Sequence, residues 1–377
     1  MNRRFEALDA FRGICAISVV IFHMHFVNSI TELDFFRGSA VFVEFFFILS
    51  GFVLAHGYGD KKDLNFRSFM KARFFRIYPL HIFMLTVFII LELGKLFAYK
   101  FGDISFNNPP FTNDTSINEI VPNLLLIHSW TSFTDPLSFN YPSWSISIEF
   151  YIYALLFTTI AFFKTSKTIV WFCISAIAFS LIFLKSDLLV ESVLKGLSCF
   201  FGGTVIYLLF KKISYFRFPL TLATLIEVLL IILIIFVVSV NFKYKSLIAP
   251  FLFLLTVLFF AFEAGLISKL LKIKIFQTTG KLSYSIYMTH AAILFIFNSI
   301  GIVLQKITGE SIAPIINSQR YLDFGGQLIN NTLILITLSI IIYTSKITYN
   351  KIELKGLALN KKPEKPFIKL TGSTLRK

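Results

Sequence analysis

Apolar stretches of about 20 residues, the length at which a helix spans a bilayer, recur along this chain from end to end. They fall at 11–29, 39–57, 77–96, 144–163, 169–185, 194–210, 221–240, 247–266, 283–303 and 329–348. A soluble chain of 377 residues would divide into two or three domains. Charged residues make up only 15% of this one, against about 25% in soluble domains, and that decides against a soluble fold. Phe occurs 47 times, and lipid-facing helices tolerate it well. The fold class that follows is all-α: a polytopic integral membrane helix bundle of about ten transmembrane helices. Residues 1–348 form the membrane domain. The Lys- and Pro-rich stretch 349–377 reads as a basic, disordered cytoplasmic tail. The first apolar stretch is too long for a signal peptide and lacks a small-residue cleavage site, so it is the first span. Between the third and fourth spans lies a turn-rich segment, 97–143. Within it Ile120–Trp130 is apolar but too short to cross, which predicts an interfacial or re-entrant element.

The basic residues orient the bundle. With the N-terminus inside, 27 of the 36 Lys and Arg fall on inner segments, as the positive-inside rule requires. Both termini are then cytoplasmic. The same bias explains the net charge of +15 and supplies attraction to anionic membrane lipids. The basic residues are scattered over several loops, which argues against nucleic acid as a partner. Cys15, Cys173 and Cys199 all lie in apolar runs and form neither a disulfide framework nor a metal-type spacing, so no metal is expected. No internal repeat stands out, which weakens a transporter built from repeats.

Ionisable groups inside a bilayer are costly, so each one points to a function. Arg12 and His23 are 11 residues apart, about three helical turns plus 20°, so they share a face roughly 16 Å apart along the axis. His25 points about 200° away from that face. Arg73 and Arg76 are i, i+3 neighbours, and paired guanidiniums suit bidentate phosphate binding. Glu149 lies about a turn and a half below the interface marked by Pro142 and Trp144, with Ser145 and Ser147 beside it on the same span. Counting rise places Glu149 within about 5 Å of the depth of His23, where it could orient or charge that base. Glu44 is acidic within the second span, and Ser50-Gly51 in the same span permits close helix packing. Ser283, Tyr287 and His290 form a polar stripe by i, i+4, i+7 spacing. Glu44, Ser147, Tyr287 and His290 together suggest a polar substrate pathway. Glu227, mid-span at 221–240, fits none of these clusters.

Taken in order, these pieces resemble the membrane-bound acyltransferase family 3, which includes bacterial O-antigen O-acetyltransferases. The resemblance rests on Leu8-Asp9-Ala10-Phe11-Arg12-Gly13 followed by His23, on Phe46-Phe47-Ile48-Leu49-Ser50-Gly51-Phe52, and on Arg73-x-x-Arg76 leading into Ile77-Tyr78-Pro79. It continues in Trp144-Ser145-Ile146-Ser147-Ile148-Glu149 and in Ser283-Tyr284-Ser285-Ile286-Tyr287 with His290. Two departures stand out: Glu44 where members often have Asp, and Phe150 where a second acidic residue is common. The sequence also stops after the tenth span, without the esterase-like domain fused to some members. That leaves open a separate periplasmic transferase as partner.

The resemblance implies a multi-pass enzyme of the bacterial inner membrane. It would move an acyl group, usually acetyl, from cytoplasmic acyl-CoA to a hydroxyl of a glycan or lipid-linked sugar. Arg12, Arg73 and Arg76 would receive acetyl-CoA or another acyl-CoA. His23 would be the general base and Glu149 its orienting partner, with a covalent acyl-His intermediate as an open variant. The competing class is a transporter or flippase for a glycan or lipid-linked intermediate, which would need no arginine pair for CoA.

Overall fold

The structure, a computed structural model, describes residues 4–61, 63–102 and 104–360. Its helices in chain order are α1 (Glu6–His23), the short α2 (Asp34–Arg37), α3 (Phe42–Tyr58), α4 (Phe66–Phe101), the short α5 (Ile120–Leu124), α6 (Ser143–Phe162), α7 (Lys167–Phe183) and α8 (Glu191–Ile213). They continue as α9 (Leu220–Ser239), α10 (Lys245–Phe260), the short α11 (Leu266–Leu271), α12 (Lys274–Thr308), α13 (Gln327–Thr348) and α14 (Leu354–Asn360). Sheet among the described residues is one two-stranded hairpin, Ile315–Ile316 with Gln319–Arg320. Every predicted span coincides with a helix. Among the described residues seven helices are long and apolar enough to cross a membrane: those at Ser39–Tyr58, Phe66–Phe101, Ser143–Phe162, Glu191–Ile213, Leu220–Ser239, Lys274–Thr308 and Gln327–Asn360. The remaining three predicted spans are the shorter apolar α7 and α10 and α1, whose first two turns carry Glu6, Asp9 and Arg12.

Two helix pairs meet at glycines, where the missing side chain lets backbones touch. In one, α1 runs parallel to α12: a Cβ on Gly13 would lie 2.6 Å from the Gly280 nitrogen, and one on Gly280 would lie 2.1 Å from the Asp9 carbonyl. In the other, α3 packs on α8: a Cβ on Gly51 would lie 1.9 Å from the Phe200 carbonyl, and one on Gly203 2.0 Å from that of Ile48. The close packing expected at Ser50-Gly51 is thus present.

The loops sort to two ends. At one end Lys167 and Lys211 both reach Asp60, at 3.6 and 2.7 Å, and the Lys211 hydrogen bond and charge hold that carboxyl below its usual range. At the other end Asn107 accepts from Arg320, Leu322 donates to the His25 carbonyl, and Asn330 donates to that of Val27. The first group belongs to the loops placed inside by charge, and the second to those placed outside.

The chain differs from the sequence reading at the start of α4 and at the end of α13. α4 begins at Phe66 with the Asn65 side chain accepting from Ser68 N, so Arg73 and Arg76 sit within its second and third turns and not at a loop's end. α13 does not stop at 348: a π-helical segment, Tyr349–Glu353, joins it to α14. Twelve residues assigned to a disordered tail are therefore helical, because Tyr349, Glu353 and Gly356 are buried there. The rest of that tail, 361–377, lies outside the described residues. Ile120–Trp130, read as an interfacial or re-entrant element, holds the single turn of helix α5 and lies beside α6 as far as Tyr151. Its last carbonyls would be orphans in an apolar setting. Tyr78 of α4 donates to Leu124 O, Tyr151 donates to Leu125 O, and Ser147 donates to Leu126 O.

Candidate active site

A cavity of about 220 Å³ opens between α1, α3, α4, α6 and α12. Three guanidiniums line it. Arg12 stands beside the Gly13–Gly280 crossing. No described residue forms a hydrogen bond or ion pair with it, and the charges around it are Arg76, Asp9 and Glu149. Arg73 takes one hydrogen bond, Nη2 to Tyr58 Oη at 3.3 Å. Its plane lies over the rings of Tyr58 and Tyr153, at 5.5 and 5.9 Å, a favourable cation–π arrangement. Its Nε is buried without a partner. Arg76, one turn on, pairs with Glu353 and lies 6.0 Å from the centre of the Tyr284 ring. Guanidinium forks that keep free N–H donors toward a cavity suit a ligand with anionic oxygens.

Glu149 lies in the same cavity wall. It accepts from the Ser50 hydroxyl of α3 and from Tyr153, one turn along its own helix. One turn toward the start of α6, Ser145 donates to Tyr287 at 3.0 Å. Ser283, Tyr284 and Tyr287 complete the α12 wall, so Ser283 and Tyr287 of the predicted polar stripe face the site, while His290 does not line it.

His23 and His290 sit beyond that wall. Their rings are 5.3 Å apart, and Tyr141 lies 4.4 Å from His23 and 5.7 Å from His290. His290 is fully buried, with neither ring nitrogen partnered. Tyr287 links the two places, since its ring is 6.0 Å from His290 and its hydroxyl is on the cavity wall. His23 and Glu149 are not brought together. The reason is that α1 ends at His23, whereas the sequence reading carried that span on to residue 29. Arg37 terminates it by donating to the carbonyls of Ile21 at 3.1 Å and Met24 at 2.6 Å. His23 is therefore level with Tyr141, ahead of α6, while Glu149 lies in the second turn of that helix. The shared face of Arg12 and His23 holds, as both meet α12.

Two other expectations need correcting. Glu44 does not line the cavity. Val43, Phe46, Phe47 and Ser50 do, which turns Glu44 toward α8, where Lys195 and Glu191 are its nearest charges. Ser147 is not on a substrate path either. It is buried, its hydroxyl holds Leu126 O and accepts from Ser129 N, and its carbonyl accepts from the Trp130 indole. Glu227 gains a role: it accepts from Gly265 N, Ser268 N and Ser268 Oγ, capping the start of α11. Sequence reasoning missed Glu353 and Arg37. The signal for Arg37 was slight, a lone cation between two spans. For Glu353 it was hidden in a stretch whose composition reads as tail.

A family model described as an acyltransferase domain matches residues 5–345, which takes in every cavity-lining residue named above and leaves out Glu353, the partner of Arg76. The chain belongs to the acyltransferase 3 family. Among curated relatives, Acyltransferase MdmB of Streptomyces mycarofaciens is 30% identical over 199 residues, covering 48% of this chain and 45% of that one. Protein 2 in the picA locus of Rhizobium radiobacter is 42% identical over 90 residues, 22% of this chain and 44% of the other. YrhL of Bacillus subtilis (strain 168), whose name proposes a peptidoglycan O-acetyltransferase, is 27% identical over 180 residues, 43% of this chain and 25% of its own. The chain thus spans less than half the length of each of these relatives. No solved structure matches it. The acyltransferase domain is a multi-pass membrane bundle here, and its cavity is built from the motif residues that carried the resemblance.

Proposed function

We propose that this acyltransferase 3 member is an O-acyltransferase. It takes an acyl group, most simply acetyl, from acyl-CoA and transfers it to a hydroxyl of a cell-surface glycan or lipid-linked sugar. The observation that carries this reading is the set of three arginines around one cavity, with Arg12 bound to no described residue. The competing reading, a transporter or flippase of a glycan or lipid-linked intermediate, would move its cargo without consuming acyl-CoA. The membrane in this reading is a bacterial inner membrane and the Arg73 end of α4 faces the cytoplasm, where acyl-CoA is available; the Lys and Arg bias supports that side. In this reading the CoA phosphates meet Arg12, Arg73 and Arg76, and the pantetheine arm carries the thioester past Tyr287 toward His23.

The chemistry assigned to the residues is acyl transfer. His23 takes the proton of the acceptor hydroxyl as that oxygen attacks the thioester carbonyl. The C–S bond breaks, CoA leaves as thiolate, and the proton returns to it. A neutral imidazole is required for the first step. Glu149, held by Ser50 and Tyr153, shares the cavity wall with Arg12 and Arg73 and so organises the cavity without touching His23. The acceptor reaches His23 from the side of Tyr141.

The test is donor dependence. Arg73→Ala should raise KM for acetyl-CoA by about tenfold or more, since a hydrogen bond to a charged group is worth roughly 1.5–3 kcal/mol. Arg73→Lys should recover only part of this, because the planar fork is lost. An unchanged donor KM in Arg73→Ala would reduce the pair to a lipid-headgroup anchor.

A further inference from the structure

Glu353 lies eight residues past the end of the family match at 345, on a segment that the sequence presents as tail. Its side chain is nonetheless fully buried. One carboxylate oxygen accepts from Arg76 Nη1 and the other from Ser285 Oγ at 3.0 Å. Arg12 is a further cation within its field. Two independent features hold it there. It closes the π-helical stretch Tyr349–Glu353, and such insertions in a helix concentrate at functional sites. One turn later Gly356 lies flush on α4: a Cβ there would come within 2.9 Å of the Phe75 carbonyl and 2.8 Å of Pro79 Cγ. The α14 backbone is thus pressed against the turn of α4 that bears Arg76. Arg76 lines the cavity and Glu353 does not, so the carboxylate grips the guanidinium from behind.

We propose that Glu353 is a positioning residue of the donor site: it fixes the Arg76 fork toward the cavity and so sets affinity for the anionic acyl donor. This rests on the donor reading given above. A guanidinium has five N–H donors. Glu353 engages one nitrogen, Nη1, which leaves Nε and Nη2 for a phosphate. Without the carboxylate, Arg76 loses its ion-pair partner while it still feels the charge of Arg12, and the fork turns away. A carboxylate that competed with the donor would sit in the cavity and would act in the opposite direction.

The experiment compares steady-state acyl transfer from acetyl-CoA by the full chain in membranes, for wild type, Glu353→Gln, Glu353→Asp and Arg76→Ala. Glu353→Gln keeps the size and the acceptor for Ser285 but removes the charge. It should raise KM for acetyl-CoA by about tenfold, with kcat and the acceptor KM within about twofold of wild type. Glu353→Asp keeps the charge and should restore most of the donor KM. Adding Glu353→Gln to Arg76→Ala should do no further harm, because the two act as one unit. A donor KM that falls in Glu353→Gln would make the residue a competitor and overturn the proposal. So would equal donor KM values in the Asp and Gln variants. If Glu353→Gln has a normal donor KM while Arg76→Ala does not, this inference fails and the donor site stands. If neither variant shifts the donor KM, the donor site itself fails too.

Discussion

Acyl transfer is expected to fall by about 10²–10⁴-fold in His23→Ala, the usual loss when a general base is removed. His25→Ala is expected to stay within about threefold of wild type. The two histidines are two residues apart, and hydropathy cannot separate them. Their surroundings can. His23 faces His290 and Tyr141 next to the cavity wall. His25 is a structural group: its Nδ1 meets Arg37 at 2.9 Å, its carbonyl accepts from Leu322 N, and its ring lies 5.1 Å from Tyr321. Arg37 keeps its bonds to Thr31, Ile21 and Met24 carbonyls when the His25 ring is removed, so the end of α1 survives. The comparison is acceptor acylation at matched membrane levels. Equal, severe loss in both variants would mean that this corner of the bundle acts through packing. Full activity in His23→Ala would remove the base assignment.

Arg12→Met should separate function from stability, with effects of opposite sign. Most buried cations are held by a partner, and deleting one harms the fold. Arg12 has no such partner among the described residues and stands in the field of Arg76. Methionine keeps the apolar stem while removing an unpaired charge. Thermal stability in detergent should therefore hold or rise. Donor use should collapse, because a phosphate contact worth roughly 1.5–3 kcal/mol disappears, which is about 10- to 150-fold in affinity. Differential scanning fluorimetry and the acetyl-CoA KM on the same preparation check both halves. A strongly lowered melting temperature would show that Arg12 is structural, whatever its effect on turnover.

Much of this layout could be read from residues alone, since one-dimensional signals suffice for it. Run length locates the helices, and the i, i+3 spacing of Arg73 and Arg76 and the i, i+4 spacing of Ser283 and Tyr287 place them on one wall. The remainder depends on where helices stop and which carbonyls need donors. His23 ends its helix because Arg37, fourteen residues away, caps it, and no local periodicity reports that. Ser147 reads as a polar group in a span, but it serves the carbonyl of Leu126, a contact created by α5 dipping beside α6. Glu44 is one residue from the cavity-facing Val43, and a 100° turn is enough to send it to α8. Glu353 was invisible because composition over 349–377 averages a docked helix with the Lys- and Pro-rich segment that follows it.

The central claim is that the arginine cavity accepts acyl-CoA from the cytoplasmic face and delivers the acyl group to a hydroxyl. The direct measurement uses membrane vesicles of known sidedness that carry the full chain, supplied with acetyl-labelled acetyl-CoA on one face at a time. Label should reach a base-labile O-acyl product in the glycan or lipid-linked fraction only when the donor meets the cytoplasmic face, and it should be lost in Arg73→Ala and in His23→Ala. Transfer from the opposite face alone, or movement of a glycan lipid across the bilayer with no consumption of acetyl-CoA, would contradict it.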